Sequence, residues 1–322
     1  MNKALCSLAA VVSLLVACGT AVAQGWPGKP LRIVSPYAAG GSNDIAARIL
    51  AEKLSQRFGQ QVIVENKAGA NTRIATEFVA KSAPDGYTLL FCAAPHSTNP
   101  ALYEKLPYDT VKDFSPVVQA VTVPLFFLVP SGSPVKNVKD LVELARKDPA
   151  YANVGSPGNG SAPHLAIELL NSLSGSALTH IPYKGDAPAI QDLLGGRLGA
   201  SADPVAPALP HIRAGKLRAI AVASPQRYSL LPDVPTLAEQ GFPGAEAYAW
   251  FGLLAPAGTP ADIVARLNAE SNLALKQAEV SEKLFSLGMT PVGGTPEQFG
   301  AFIRADIEKW TKLIRARNIK PD

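Results

Sequence analysis

Short apolar segments alternate with amphipathic segments along the first part of the chain. Residues 31–35, 62–64 and 87–91 are short and largely apolar, which is typical of strands buried on both faces. The segments 43–58 and 71–82 instead carry apolar residues three or four positions apart, the spacing of an amphipathic helix. This order of strand, helix, strand, helix and strand predicts a parallel sheet covered by helices.

The same alternation begins again in the second part of the chain. Further strands are expected at 124–129, 153–155, 179–183, 217–222 and 248–254. The helical C-terminal part is expected to pack back on the first unit, because no strand-rich block remains for a third domain. We therefore predict an α/β fold of two domains, residues 24–125 with 247–322 and residues 126–246. Two crossing segments between them would form a hinge about which a cleft can close.

Length, composition and charge restrict the class of protein. The 322 residues are enough for about two domains. Hydrophobic residues make up 47% of the chain and charged residues 17%, a composition that excludes a disordered protein. The net charge is only +4 and no run of Lys or Arg occurs, so no nucleic-acid partner is expected.

Residues 1–23 are predicted to be a secretory signal peptide rather than part of the fold. Lys3 precedes an apolar run shorter than the ~20 residues of a membrane span, and Ala21-Val22-Ala23 has the small-x-small pattern of a cleavage site. Two alternatives stay open: a lipoprotein processed before Cys18, and a short anchor. The mature chain is expected in the periplasm, with Cys92 as a small buried hydrophobic residue and no internal disulfide.

Motifs of catalysis and metal binding are absent from the sequence. The four His residues form no His-Glu-x-x-His pattern, and none pairs with Cys at zinc spacing. Neither a Gly-x-Ser-x-Gly elbow nor a phosphate-binding P-loop occurs. We therefore predict no enzyme activity, no metal and no cofactor, with a triad assembled from scattered residues as the remaining alternative.

Two glycine-rich turns between a strand and a helix are the main candidates for ligand binding. They are Gly40-Gly41-Ser42-Asn43 and Gly158-Asn159-Gly160-Ser161-Ala162. A helix start presents free N–H groups and a partial positive charge, and glycine lets an anion approach the backbone. In open α/β sheets such turns lie where ligands bind. The alternative is that each is only a tight turn with a helix cap, provided in the first turn by Ser42 or Asn43.

Four other positions are candidates for the same cleft. The segment 93–100 is predicted to be a polar loop in which Ser97 offers a hydroxyl, and Tyr183 ends a strand. Asp203 could accept a hydrogen bond from a cationic group of a ligand, or it could merely cap a turn. Trp250 is interpreted as a core residue, with a place in the cleft wall as the alternative.

Longer motifs, which together extend from about residue 26 to 320, resemble those of one known family. They include Trp26-Pro27-x-Lys29-Pro30, Pro36-Tyr37-x-x-Gly40-Gly41-x-x-Asp44, Pro84-Asp85-Gly86-Tyr87-Thr88-Leu89-Leu90, Pro182-Tyr183-Lys184-Gly185-x-x-Pro188-Ala189 and Asp192-Leu193-Leu194-Gly195-Gly196. On these motifs the chain resembles the Bug family, the extracytoplasmic solute-binding receptors of tripartite tricarboxylate transporters.

The resemblance implies the two-domain periplasmic-binding-protein fold, also called the Venus-flytrap fold. It implies that a small organic acid is held between the loop around Tyr37–Ser42 and the loop around Gly158–Ser161, and that Asp203 helps to choose it. The implied partner is an integral-membrane permease, and the receptor is expected to be a monomer. Two alternatives stay open: a sensor that signals to a membrane kinase, and a secreted hydrolase, which predicts a buried Ser–His pair.

The chain also departs from the family pattern close to the expected cleft. Tyr37 stands where Phe is common, and Asn71-Thr72-Arg73 replaces a more glycine-rich run. Because these differences lie near the ligand, the resemblance does not identify which acid is bound.

Overall fold

A computed structural model describes residues 25–316 and 318–320 of the chain. The predicted signal peptide (1–23) and the alternative processing site at Cys18 lie outside the described residues. Within the described part, no helix combines the length and the apolar character that a membrane span requires.

The described residues form strands and helices that alternate for most of the chain. The strands are β1 (Leu31–Ser35), β2 (Val62–Asn66), β3 (Thr88–Ala93), β4 (Phe114–Pro130), β5 (Asn153–Ser156), β6 (Thr179–Pro182), β7 (Ala200–Pro204), β8 (Leu217–Val222), β9 (Tyr248–Pro256) and β10 (Thr290–Gly293). The helices are α1 (Ser42–Phe58), α2 (Arg73–Ala80), α3 (Pro95–Leu102), α4 (Val138–Ala145), α5 (Pro149–Ala152), α6 (Ala162–Ser174), α7 (Asp186–Leu194), α8 (Leu209–Arg213), α9 (Ala261–Leu275), α10 (Ala278–Ser286) and α11 (Pro296–Ala316).

Two sheets share the long strand β4. The first has the order β2-β1-β3-β9-β4, with β1 parallel to both neighbours, β9 antiparallel to its neighbours and β10 beside β4. The second has the order β4-β7-β5-β6, with β8 on the other side of β4. Residues 114–124 of β4 pair with β9, whereas residues 125–130 pair with strands of the second sheet. The predicted α/β fold is confirmed.

The chain passes between the sheets at two places. Strand β4 does so at Pro124 and Leu125. The chain returns to the first sheet just before β9, where the Ala247 amide donates a last hydrogen bond to the Ala223 carbonyl at 2.8 Å. The division into residues 24–125 with 247–322 and residues 126–246 stays a prediction, and its proposed boundaries lie next to these two places.

Local sequence signals set several helix ends. Helix α1 ends at Gly59, whose φ of 62° lies in the left-handed region that favours glycine. The Asn137 side chain accepts from the Asp140 amide at 2.9 Å and caps α4, as predicted. At the start of α11, Thr295 and Gln298 exchange the two hydrogen bonds of a capping box, at 2.8 and 3.2 Å.

The segment 93–100, predicted to be a loop, is largely helical, so that prediction is wrong. Helix α3 has Pro95 in its first turn, includes Pro100 and packs against α11. Its Ser, Thr and Asn residues are weak helix formers, and here burial against α11 outweighs their low propensity. Ser97 is fully buried, and its hydroxyl approaches Asp306 of α11 without completing a hydrogen bond.

Trp250 and Cys92 lie in the core of the first sheet, as predicted, and each is 1% exposed. The Trp250 indole donates to the carboxylate of Asp306 at 3.1 Å, and the indole of Trp310 donates to the same carboxylate at 2.8 Å. A buried acid therefore links β9 to the C-terminal helix. Since hydrogen bonds satisfy this acid, it is a structural group of the core.

The segment Ala70–Thr72 adopts a backbone conformation that favours glycine. The φ angles of Ala70, Asn71 and Thr72 are 45°, 51° and 66°, and the left-handed region costs a non-glycine residue roughly 1–2 kcal/mol. Two hydrogen bonds with Asn99, at 2.7 and 3.1 Å, hold Asn71 in place. The chain thus keeps a strained turn that these hydrogen bonds hold in place.

Replacing Ala70 by Gly is expected to raise the free energy of unfolding by about 1 kcal/mol, because Gly adopts a positive φ without strain. Ala70 is exposed, so the substitution removes little buried surface. Urea unfolding measures the effect. Ala177→Gly is the control, since Ala177 is also exposed but lies outside the positive-φ positions, and it should be slightly destabilising. An equal decrease in the free energy of unfolding of both variants would contradict the expectation.

Candidate functional site

Turns from the two sheets meet across a cleft. The turn after β1 contacts the turn after β6, because the Ala38 amide donates to the Lys184 carbonyl at 2.8 Å. On the other side of the cleft the Thr98 hydroxyl of α3 donates to the carbonyl of Gly160, in the turn after β5, at 2.8 Å. The structure is therefore a closed conformation, and the enclosed space is the candidate binding site.

An inner cavity of about 20 Å³, room for about one water molecule, lies in the cleft. Its polar lining consists of Tyr37, Asn43, Ser161 and Asp186, and the rest of its wall is alanine, proline and Phe251. A largely apolar wall with few polar groups is typical of a site for a small molecule.

An outer cavity of about 170 Å³ adjoins the inner one. Its polar lining includes Asn71, Thr72, Asn159, Tyr183 and Lys184. Tyr37 and Pro157 line both cavities, so they stand at the boundary between the two spaces. The strained turn described above therefore forms part of the cleft wall.

Helix α1 is capped from the opposite sheet. Ser42 or Asn43 was the predicted cap, and this prediction is wrong, because the N-cap position is Gly41, which has no side chain. The Ser42 amide donates instead to Oδ2 of Asp186 at 2.8 Å. A Cβ at position 41 would lie 2.0 Å from Oδ1 of Asp186, so only glycine leaves room for this carboxylate.

The second glycine-rich turn satisfies its amides locally. Ser161 caps α6 as predicted, accepting from the His164 amide at 3.3 Å. The Gly158 amide donates to the Ser156 hydroxyl at 3.1 Å, and the Gly160 amide donates to Nδ1 of His164 at 3.0 Å. These amides and that of the first turn therefore have protein partners. The expected hold of opposed amides on one anion stays a prediction, and these three amides would have to give up their protein partners to take part in it.

The predicted site residues divide into three groups. Tyr37, Ser161 and Ala162 line the inner cavity, and Tyr37, Asn159 and Tyr183 line the outer one. Gly40, Gly41, Ser42 and Gly160 lie where the sheets approach each other. Ser97 and Asp203 line neither cavity. The assignment of all these residues to ligand binding stays a prediction.

Asp203 is a buried acid whose carboxylate makes no hydrogen bond within the described residues. It lies on β7 at 0% exposure, next to Pro204 in the wall of the inner cavity. The Ser201 hydroxyl lies close to this carboxylate and acts to lower its pKa, although it does not reach hydrogen-bond geometry. Burial raises the pKa of Asp203 well above its ordinary value, and the negative charge of Asp186 raises it further.

Asp186 is absent from the site residues that the sequence predicts. It is the first residue of α7, after Gly185, a place where an acid stabilises its own helix through the helix dipole. Its contact with Ser42 joins residues 144 positions apart, which no local pattern reveals. Burial raises the pKa of Asp186, and hydrogen bonds from Ser42 oppose that shift.

A buried Ser–His pair lies beneath the second glycine-rich turn. Ser156 Oγ and His180 Nε2 are 2.6 Å apart, and the His180 ring stacks on the His164 ring with centroids 3.9 Å apart. Ser156 is fully buried and lines neither cavity, so its hydroxyl has no access to a substrate. Burial lowers the pKa of His180 to about 4. The pair therefore supports the turn.

The described residues form no candidate metal centre. Among residues 25–316 and 318–320, no group of three or more His, Cys, Asp or Glu side chains is arranged to hold a metal ion.

The chain is similar to known proteins of one family. The family model described as "Tripartite tricarboxylate transporter family receptor" (TctC) matches residues 46–319. The periplasmic binding protein BugD is 35% identical, with a TM-score of 0.88 over 92% of this chain and 100% of that one. This similarity confirms the predicted periplasmic-binding-protein fold.

Two further similar structures were solved with a ligand. Rpa4515 of R. palustris, with adipate, is 36% identical, with a TM-score of 0.88 over 92% of this chain and 100% of that one. MatC of Rhodopseudomonas palustris, with bound malate, is 34% identical, with a TM-score of 0.85 over 90% of this chain and 100% of that one.

Proposed function

This chain belongs to the tripartite tricarboxylate transporter receptor family, a family of solute-binding receptors, and on that premise we propose that it captures a small carboxylate-bearing metabolite in its cleft. The family is not one of enzymes, so the hydrolase alternative is not retained. The observation that carries the proposal is the pair of adjoining cavities, which hydrogen bonds between the two sheets enclose.

The class of ligand is supported by two relatives and by the outer cavity. Adipate and malate, the ligands of the two relatives, both carry carboxylates. In this chain the outer cavity offers Lys184, Asn71 and Asn159, which supply a positive charge and amide groups to a carboxylate. A ligand held there would contact both sheets, because Asn71 precedes α2 and the other two residues belong to the second sheet's turns.

Closure of the cleft provides the mechanism of capture. Opening would break the bonds from Ala38 to Lys184 and from Thr98 to Gly160, and a ligand that bridges the same surfaces favours the closed state. A net hydrogen bond is worth about 0.5–1.5 kcal/mol. A micromolar affinity, about −8.2 kcal/mol, therefore needs several such contacts together with burial of the ligand in the closed cleft.

Delivery to a membrane permease is the second part of the proposal. Export by the predicted signal peptide would place the receptor in the periplasm, where the closed form presents both sheets to the permease in one fixed arrangement. Opening of the cleft on the permease would then release the acid.

Binding is tested by thermal unfolding of the purified mature chain with a panel of mono-, di- and tricarboxylates and amino acids. At least one acid is expected to raise the melting temperature in a saturable way, because a ligand that binds only the folded state stabilises it. Small-angle scattering with that acid should report the compact, closed shape. If no acid in the panel raises the melting temperature, the proposed function is wrong.

Transport is tested by uptake of the same acid, radiolabelled, in a strain that lacks this gene. Uptake is expected to fall in the deletion strain and to return with the full chain. A version without residues 1–23 should not restore it, because it would stay inside the cell. Normal uptake in the deletion strain would contradict the role in transport while leaving the binding result intact.

A further inference from the structure

The inner cavity carries negative charge and no compensating cation. Among residues 25–316 and 318–320, Asp186 is the only charged residue that lines it, and no Lys, Arg or His of this part of the chain does so. Asp203 lies behind the same wall, close enough for the two carboxylates to repel each other. A second carboxylate of a ligand placed in this cavity would therefore meet two acids.

The amide that would attract such a carboxylate is already occupied. The N-terminus of α1 favours an anion, and the Ser42 amide holds Oδ2 of Asp186 at 2.8 Å. Asp186 is 4% exposed, so this contact is buried. The protein's own carboxylate thus takes the place at α1 that a ligand carboxylate could otherwise occupy.

Several buried polar atoms around the cleft have no hydrogen-bond partner among the residues that the structure describes. They include three acceptors, both oxygens of Asp203 and Oδ1 of Asn159, and two hydroxyls that can donate or accept, those of Ser42 and Ser201. A buried carboxylate without a compensating charge is costly, and an ammonium group brings three donors and a positive charge. Asp186 and Asp203 therefore favour a cationic donor over a further carboxylate.

We infer that Asp186 and Asp203 select a carboxylic acid that carries an ammonium group at its opposite end, with the ammonium directed to the inner cavity. This inference rests on the proposed function, since it names the class of acid. Within the described part of the chain, Lys184, in the outer cavity, is the only cationic residue that lines either cavity. An ω-amino acid would thus place each of its charges near a charge of the opposite sign.

The test compares acids of matched length by isothermal titration calorimetry. The pairs are β-alanine with succinate, γ-aminobutyrate with glutarate, and 5-aminopentanoate with adipate; each pair exchanges one ammonium group for a carboxylate. In at least one pair the amino acid is expected to bind about tenfold or more tightly than the dicarboxylate. A dicarboxylate that binds as well as its partner in every pair, or three amino acids that do not bind, would overturn the inference.

Two isosteric variants assign the preference to the two acids. Asp186→Asn can still accept from the Ser42 amide but loses its charge, and Asp203→Asn removes the charge behind the wall. Each is expected to reduce the preference for the amino acid by about tenfold. Asp233→Asn, the same change at an exposed position of the second half of the chain, should leave it unchanged. An unchanged preference in both cleft variants would contradict their role.

The two hypotheses fail in different ways. If no acid of any kind binds, the proposed function itself is wrong. If dicarboxylates bind and amino acids do not, the receptor function stands and only the assigned class of acid is wrong.

Discussion

Gly160→Ala is expected to weaken ligand binding by at least about tenfold, because the added methyl group prevents full closure of the cleft. A Cβ at position 160 would lie 2.5 Å from both Thr98 Oγ1 and Leu102 Cδ1, which belong to α3 on the opposite side. Overpacking of this kind costs about 1–3 kcal/mol. Calorimetry with the best acid of the panel measures the loss, and small-angle scattering should show a more open shape.

Gly175→Ala is the matched control for that experiment. Gly175 has a φ of 61°, against 64° for Gly160, but a Cβ there would have no atom closer than 3.8 Å. Both variants therefore carry a similar backbone strain and should lose about 1 kcal/mol of stability. Only the first should lose affinity, and an equal affinity for the two variants would show that Gly160 does not limit closure.

Asp203→Asn is expected to make the ligand-free protein more stable by about 1–3 kcal/mol at pH 8, because it removes an acid whose charged form is penalised by burial. The wild-type carboxylate is fully buried and makes no hydrogen bond among the described residues. An asparagine keeps the shape of the side chain without its charge. The gain in stability would accompany the loss of selectivity proposed above, as happens where a binding site is kept in a strained state.

The gain should depend on pH with a definite sign. Burial raises the pKa of Asp203 in the folded chain above its value in the unfolded chain. The folded state therefore keeps its proton over a pH range in which the unfolded state has lost it. Through this range, which starts near the unfolded value of about 4, wild-type stability falls as the pH rises. The difference between variant and wild type should consequently increase from pH 4 upward.

Urea unfolding of both proteins at pH 4, 6 and 8 measures this difference. Asp233→Asn serves as the control for a charge removed from an exposed position, and it should show no comparable trend. A difference between Asp203→Asn and wild type that is the same at all three pH values would mean that the buried acid does not change its protonation on folding.

Local signals explain why most elements could be predicted. Each helix cap joins residues only three positions apart, so a short stretch of sequence contains the whole interaction. This holds for the caps at Asn137 and Ser161 and for the capping box of Thr295 and Gln298. Strand β4 was predicted only at 124–129 and in fact begins at Phe114, because prolines within it resemble breaks although neighbouring strands satisfy its backbone.

Non-local contacts explain what could not be predicted. Helix α3 exists because α11 covers it, and the cap of α1 comes from Asp186, 144 residues away. Ile74, an apolar residue of the predicted helical segment 71–82, is 50% exposed, because the buried face of α2 carries Ala75, Thr76 and Val79 instead. In the cleft, residues of the two predicted turns line the same two cavities, while the partners of their amides depend on the fold as a whole.

The position of β9 has a consequence for biosynthesis. This strand occupies the middle of the first sheet, between β3 and β4, yet it begins only at Tyr248. A chain that is synthesised N-terminus first exposes the apolar edges of β3 and β4 until its last quarter has followed. A fragment that stops before Tyr248 would therefore keep those edges unpaired and be prone to aggregation and proteolysis, even with the second sheet complete.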